Sequence, residues 1–398
     1  MSFVMIGIFI IIILIGLAFI NYYLGRRHFL NQIEIRQYPI RHGRIQLITT
    51  GTNLFLTYFA DLKKAKSTIQ VQFYIVKDDS LSQTFFNILK QQADKGVRVQ
   101  VLLDCLGSWK VPRSWIKEAK QHGIEVAFCH RPNWLFPLYS LQQRNHRKVT
   151  IIDGAISYLG GYNVGMEYID QKPGLSPWRD YHIRIEGKGI EDLQQEFYFD
   201  WQKATGQPLP HVSNNRTANG TMKYQIFPTE GVKMDEKWRS LIRQAKHSIS
   251  IGTPYFVPPK DLLTELNKAL MRGVQIKVLV PNTADHPIVK EASFCYLRQL
   301  LSLGATVYQF QKGFYHAKIM IIDEQLCSIG TANFDNRSFF LNSEMTCFIY
   351  DKPFIAHAKD TFEQDIQQSE ALSLHGLNQV GWFVRIKEGI GWLVKGLM

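Results

Sequence analysis

Residues 145–163 read NHRKVTIIDGAISYLGGYN, and residues 315–333 read YHAKIMIIDEQLCSIGTAN. One skeleton underlies both: His146, Lys148, Asp153, Gly160-Gly161 and Asn163 in the first, and His316, Lys318, Asp323, Gly330-Thr331 and Asn333 in the second. Each residue of the second set lies 170 positions after its counterpart. A single His-x-Lys-x4-Asp match is a weak signal, but two with matching Gly and Asn tails mark an internal duplication.

The duplication extends beyond the motif. Ala65-Lys66-Ser67-Thr68-Ile69 leads into the strand-like IQVQFYIV, and Ala245-Lys246-His247-Ser248-Ile249 leads into SISIGTPYFV. A helical stretch follows each (SLSQTFFNILKQQADKG; DLLTELNKALMRG), then a β-rich run (VRVQVLL; VQIKVLV), a second helix and a short strand before the motif. Strand, helix, strand is a βαβ unit, which predicts an α/β fold with mostly parallel central pairing. The expected architecture is two similar βαβ-rich repeats, residues 45–210 and 222–375, packed face to face with one active site between them. The polar stretch 211–221 (HVSNNRTANGT) reads as the linker joining them.

Composition fits this size. A chain of 398 residues that is 45% apolar can bury one large core or two ordinary domains, which excludes a disordered chain or a small disulfide scaffold. Five cysteines, odd in number and widely spaced, form no Cys-x-x-Cys pair and read as buried thiols in a reducing compartment. The formal charge of +12 favours anionic partners.

Residues 3–20 (FVMIGIFIIIILIGLAFI) form an uncharged apolar run, long enough as a helix to cross a bilayer. It lacks the preceding basic residues and following cleavage site of a secretory signal. Residues 3–23 are therefore expected to span the membrane once, and 24–44 to form a basic juxtamembrane linker. The arginines after the run place the body on the cytoplasmic side of the cell membrane by the positive-inside tendency.

The motif spacing points to chemistry. His and Lys two apart on a strand share a face, so each half presents an imidazole with an ammonium. Asp153 and Asp323, seven positions after the His, fall on the opposite parity and are expected to brace the motif loops. Two imidazoles and two ammonium groups in one cleft suit a phosphodiester: one His attacks phosphorus while the other, protonated, supplies the departing alkoxide. The lysines, Asn163 and Asn333 are expected to hold the non-bridging oxygens. With no ligand cluster for a divalent cation, and lysines to repel one, metal-free chemistry is expected. A nucleophilic His needs a partner on its other ring nitrogen. Glu344, eleven residues after Asn333, is one candidate; in the first half that offset falls on Gly174 inside an insertion, and Asp180 is the next acid before a strand.

These residues resemble the phospholipase D superfamily, within it most closely the bacterial cardiolipin synthases. The resemblance covers most of the chain after the apolar run. It includes Asn333-Phe334-Asp335-Asn336-Arg337-Ser338, Trp178-Arg179-Asp180, and Asp200-Trp201 near Ala204-Thr205-Gly206. It implies phosphatidyl transfer between two phosphatidylglycerol molecules, one donor and one acceptor, giving cardiolipin and glycerol through a phosphatidyl-histidine, with His146 as nucleophile. Many such synthases begin with two membrane spans; the single run here resembles a single-span or minor form. Exchange of one phosphodiester for another is near thermoneutral, so no nucleotide or other cofactor is expected. A membrane-tethered phospholipase D-type hydrolase or nuclease also fits the charge and the paired motifs, but no basic-aromatic tract for stacking single strands is present, and nucleic acid is not an expected partner. No obligatory protein partner is expected, since two repeats complete one site. The apolar loop 133–139 (NWLFPLY) and the amphipathic segment 376–398 are candidates to meet an anionic membrane surface.

Overall fold

The computed structural model describes residues 3–209, 220–286 and 288–397; most of the expected linker, 211–219, lies outside them. The two repeats have the same strand order. In the first it runs Glu125–Cys129, Arg98–Asp104, Thr68–Phe73, Val149–Ile152, Ile156–Gly160, Trp178–Gly187, Arg41–Thr50. In the second it runs Thr306–Phe310, Gln275–Pro281, Ser248–Gly252, Ile319–Ile322, Leu326–Gly330, Ser343–Ile349, Met222–Glu230. The two sheets are hydrogen-bonded at their last strands, Arg41 opposite Tyr224 in antiparallel register.

The expectation of mostly parallel pairing needs correcting. The first three strands of each half are parallel, as βαβ crossovers require. The later pairs along each of these orders are antiparallel, because the motif strands Val149–Ile152 and Ile156–Gly160, like Ile319–Ile322 and Leu326–Gly330, form a tight hairpin with no room for a crossover. The two-residue pairings of Phe314–Tyr315 with Trp178–Arg179 and of Phe256–Val257 with Phe334–Asp335, off these orders, are parallel.

Period-two alternation explains how the sheets pack. Along the motif strands Val149, Ile151, Ile319 and Ile321 join a central cluster shared by both halves. Their neighbours Ile152, Met320 and Ile322 face the outer helices of their own half. Both faces are thus buried, and the strands read as continuous apolar runs. Helices Gly189–Thr205 and Lys352–Gln367 contribute Leu193, Phe197, Phe354 and Phe362 to the central layer.

The N-terminal helix runs Phe3–Leu30, past the expected end at residue 23. It is long and apolar enough to cross a membrane, and its most apolar stretch is not buried against the body. At ~42 Å it exceeds the ~30 Å hydrocarbon thickness, so its last turns emerge. Those turns dock on the short helix Pro137–Gln142: Asn21 Nδ2 donates to Leu135 O at 2.8 Å, and the Tyr22 and Tyr139 rings meet edge-on at 5.4 Å. Gly25 allows the approach, since a Cβ there would lie 2.8 Å from the Cβ atoms of both Phe136 and Tyr139.

The basic stretch after the helix is built into the fold. Arg36 pairs with Glu196 and Glu230, and Arg41 with Asp192. Nearby, fully buried Arg147 bridges Asp200 at 2.9 Å and Glu196 at 3.0 Å, and its Nε donates to Glu344 O across the inter-repeat boundary. Arg147→Ala would leave two buried carboxylates without this cation. A destabilisation of about 3–5 kcal/mol is expected, measured as a lower denaturant midpoint for the detergent-solubilised protein.

Candidate active site

Each motif His is carried to the centre by hydrogen bonds to the other repeat. His146 N donates to Ser343 O at 2.9 Å, with Asn145 bridged in parallel to Ser343. Correspondingly, Phe314–Tyr315 pairs in parallel with Trp178 and Arg179, and His316 N donates to Arg179 O at 2.7 Å. The strand that holds each His segment also carries an acid. As a result the imidazole–carboxylate pairs are crossed: His146 Nδ1 lies 3.0 Å from both oxygens of Glu344, and His316 Nδ1 lies 2.5 Å from Asp180 Oδ2. A carboxylate on Nδ1 fixes the proton there and leaves Nε2 for chemistry.

Both imidazoles line one cavity of about 360 Å³, together with Asn163 and Asn333. Arg144 and Arg337 add positive charge to its wall; Tyr74 and Trp178 pack on the rings of His146 and His316 at 5.0 and 4.9 Å. Asn163 Oδ1 accepts from Ile75 N at 3.1 Å, whereas Asn333 Oδ1 is buried with no hydrogen-bond partner among the described residues.

Lys148 and Lys318 sit behind the imidazoles. Lys148 Nζ donates to His146 O at 2.8 Å, and Lys318 Nζ donates to His316 O. Lys318 Nζ is also 2.7 Å from His316 Nδ1. Because that nitrogen is bound to a carboxylate, we assign its proton to the Asp180 bond and the ammonium's bond to the carbonyl. Asp153 and Asp323 lie away from the cavity, at the turns entering Thr68–Phe73 and Ser248–Gly252. Asp153 accepts from the amides of Lys66, Ser67 and Thr68, and Asp323 from those of Lys246, His247 and Ser248.

Burial dominates the electrostatics. It lowers the Lys148 ammonium to about 7 and that of Lys318 to about 8, although neighbouring carboxylates oppose the change. Burial and then Lys318 bring His316 down to about 4 against the pull of Asp180. His146 is lowered by burial and Lys148, with Glu344 opposing. Burial would raise the two acids, but it is outweighed: Lys318 and His316 hold Asp180 below its ordinary range, and His146, Lys148 and Thr331 do the same for Glu344. One further group of close donors, Asp104, Cys129 and His130, lies outside the cavity. Arg144 occupies Asp104 at 3.2 Å, so the geometry there is that of an internal ion pair.

The family model for the cardiolipin synthase, PLD-like domain matches residues 58–201 and 238–366, both motifs included. The chain belongs to the cardiolipin synthase family. Among its relatives is the minor cardiolipin synthase ClsB of Bacillus subtilis (strain 168), 35% identical over 382 residues and covering 96% of each chain. The major cardiolipin synthase ClsA of that strain is 38% identical over 368 residues, covering 89% of this chain and 75% of the relative. The fold matches the crystal structure of phosphatidylserine synthase from Haemophilus influenzae Rd KW20, with a TM-score of 0.74 and 16% identity over 94% of this chain and 99% of that one.

In this cardiolipin synthase relative the two halves are not equivalent. Thr331 Oγ1 donates to Glu344 Oε2 at 2.5 Å, and Ser338 Oγ to Oε1 at 2.9 Å. The counterpart of Thr331 is Gly161, where a Cβ would come within 2.1 Å of Asp180 Oδ1. The glycine admits the shorter acid, and the threonine orients the longer one. The roles of Thr331, Ser338 and Tyr74 were not read from sequence, though the break in the Gly-Gly match at Thr331 was its visible signal.

Proposed function

We propose that this member of the cardiolipin synthases transfers a phosphatidyl group from one phosphatidylglycerol to a second, giving cardiolipin and glycerol through a covalent bond to His146. The observation that carries the reading is the pair of crossed imidazole–carboxylate dyads opening into one cavity. His146 Nε2 attacks phosphorus, the P–O bond to the donor's head-group glycerol breaks, and His316 Nε2–H protonates the departing oxygen. The glycerol hydroxyl of the second lipid then gives its proton to His316 and attacks phosphorus, and the P–N bond breaks. The buried cationic side chains and the asparagine amides favour the charge that builds on the non-bridging oxygens. Asp153 and Asp323 act by fixing the turns that start each motif-bearing sheet. The body lies on the cytoplasmic side of the cell membrane, which a membrane-impermeant label on intact cells tests.

The decisive experiment supplies phosphatidylglycerol in detergent micelles and identifies the products. Cardiolipin and free glycerol in equal amounts are expected. Phosphatidic acid with no cardiolipin would replace transfer by hydrolysis.

The lowered basic groups set a pH profile. A lysine is charged and an imidazole protonated below its pKa, so in the free enzyme the His316 proton needed by the leaving glycerol is already scarce above about 4 and the positive potential declines through about 7–8. From about pH 5 to about pH 9 kcat/KM should therefore fall, most steeply at the alkaline end. An anionic phosphodiester raises the pKa of both lysines and both histidines. The alkaline limb of kcat is therefore expected at higher pH than that of kcat/KM. Initial rates from about pH 5 to pH 9 check this; a flat kcat/KM would contradict it.

A further inference from the structure

The C-terminal helix, Trp382–Val394, faces the opposite way from a helix on a water-soluble surface. Its inner side is mostly small and polar, with Val384 packing on the core of the second repeat. Gly391 sits against Ala292, where a Cβ would lie 2.6 Å from the alanine's own; Arg298 donates to Glu388 at 2.6 Å, and Lys387 pairs with Glu291 at 3.1 Å. The outer side carries Trp382, Phe383, Ile386, Ile390 and Leu393, which helical spacing puts on one stripe. They are exposed by 65, 65, 49, 44 and 77%. Water alone would select the reverse orientation, and a contiguous apolar surface of this kind marks an interaction site.

The position of the helix says what covers it. It packs on Val289–Ser302, whose first residue lines the active-site cavity. Beyond its end, Asn336 Nδ2 donates to Lys395 O at 3.1 Å; the next residue, Arg337, lines the cavity and donates to Gln142 O at 2.6 Å. Gln142 ends the short helix on which the membrane-spanning helix docks. Exposed apolar helix, cavity rim and anchor are thus continuous. Cations flank the stripe, with Lys395 Nζ 4.3 Å from the Trp392 ring and Arg385 held at Asn378 O, in a chain of formal charge +12. Basic and aromatic residues around an apolar stripe suit an anionic lipid interface.

We propose that the outward face of Trp382–Val394 inserts into the interface of the same phospholipid bilayer that the N-terminal helix spans. This second, shallow attachment turns the cavity mouth to the membrane surface, so lipid head groups enter from the leaflet. The part concerning lipid entry rests on the function proposed above; the attachment itself does not.

The test uses the full chain reconstituted in vesicles of phosphatidylglycerol and phosphatidylcholine, with acyl chains brominated to quench tryptophan. Trp382→Phe should remove a quenched component of the fluorescence; an unchanged quenched fraction would overturn the attachment. Separately, the double variant Phe383→Glu/Ile390→Glu should lose tenfold or more of its turnover in vesicles while staying within twofold of wild type in mixed micelles. Equal loss in both, or none in either, would overturn the orienting role. If the helix instead pairs with a second copy of the chain, Trp382 will be unquenched by lipid and the double variant will halve the particle mass in detergent, which also overturns the proposal. Should the double variant fail to fold, the conservative Trp382→Phe comparison still decides. Should wild type make no cardiolipin, quenching still reports the attachment independently of the reaction.

Discussion

Replacing His146 by alanine is expected to lower cardiolipin formation about ten-thousand-fold or more, because it removes the nucleophile while His316, the opposed imidazole of the cavity, is committed to proton transfer. His316→Ala should be comparably inactive on phosphatidylglycerol, but for a different reason. Its loss removes the proton needed by the departing glycerol, not the nucleophile. A phosphatidyl ester with an acidic leaving group separates the two. Having no need of a proton, it should still load the His316→Ala protein covalently, as one equivalent of leaving group released in a burst. The His146→Ala protein should give no burst. A burst from His146→Ala and none from His316→Ala would reverse the assignment.

The second large effect is expected at Glu344. Glu344→Gln keeps the shape of the side chain and an acceptor for one of the two hydroxyls, Thr331 or Ser338, that donate to the carboxylate, yet no longer compensates the imidazolium charge that His146 acquires when it bonds phosphorus. A loss of about a hundred- to a thousand-fold in kcat is expected, smaller than for His146→Ala because an amide oxygen can still accept from Nδ1–H. Because the dyads are crossed, this change in the second repeat should slow the burst that reports on the first repeat's His. Asp180→Asn should instead depress turnover of phosphatidylglycerol while largely sparing the burst from the activated ester. If Glu344→Gln spared the burst and Asp180→Asn abolished it, the functional pairing would be the uncrossed one.

Much of this was legible in the sequence, and the limits have physical causes. Repeat order, motif spacing and the two acids all follow from local pattern, because strand parity and βαβ order are properties of neighbouring residues. Which acid serves which His is not local. It depends on the register by which Ser343 meets Asn145 and Trp178 meets Phe314, and on the insertion that shifts Asp180 from the spacing of Glu344. Reading βαβ units as a mostly parallel sheet failed where the motif itself forms a hairpin. Parity puts each lysine beside its histidine and predicts that both face the phosphodiester; instead each ammonium turns back to a carbonyl of its own strand and neither lysine lines the cavity, a direction that parity does not determine. The anchor helix ran on to Leu30 because its final turns have a protein surface to pack on, which hydropathy alone does not register.

The Gly161/Thr331 pair has an evolutionary consequence. In a symmetric homodimer built from one repeat, both copies of that position would have to carry the same residue: glycine would leave both acids without the hydroxyl, and threonine would collide with an acid placed like Asp180. Fusing the copies into one gene releases that constraint, and each locus can then drift independently. In this chain the two loci differ, so the one cavity has two unlike ends, and neither half carries the residue around which the other half's acid is built.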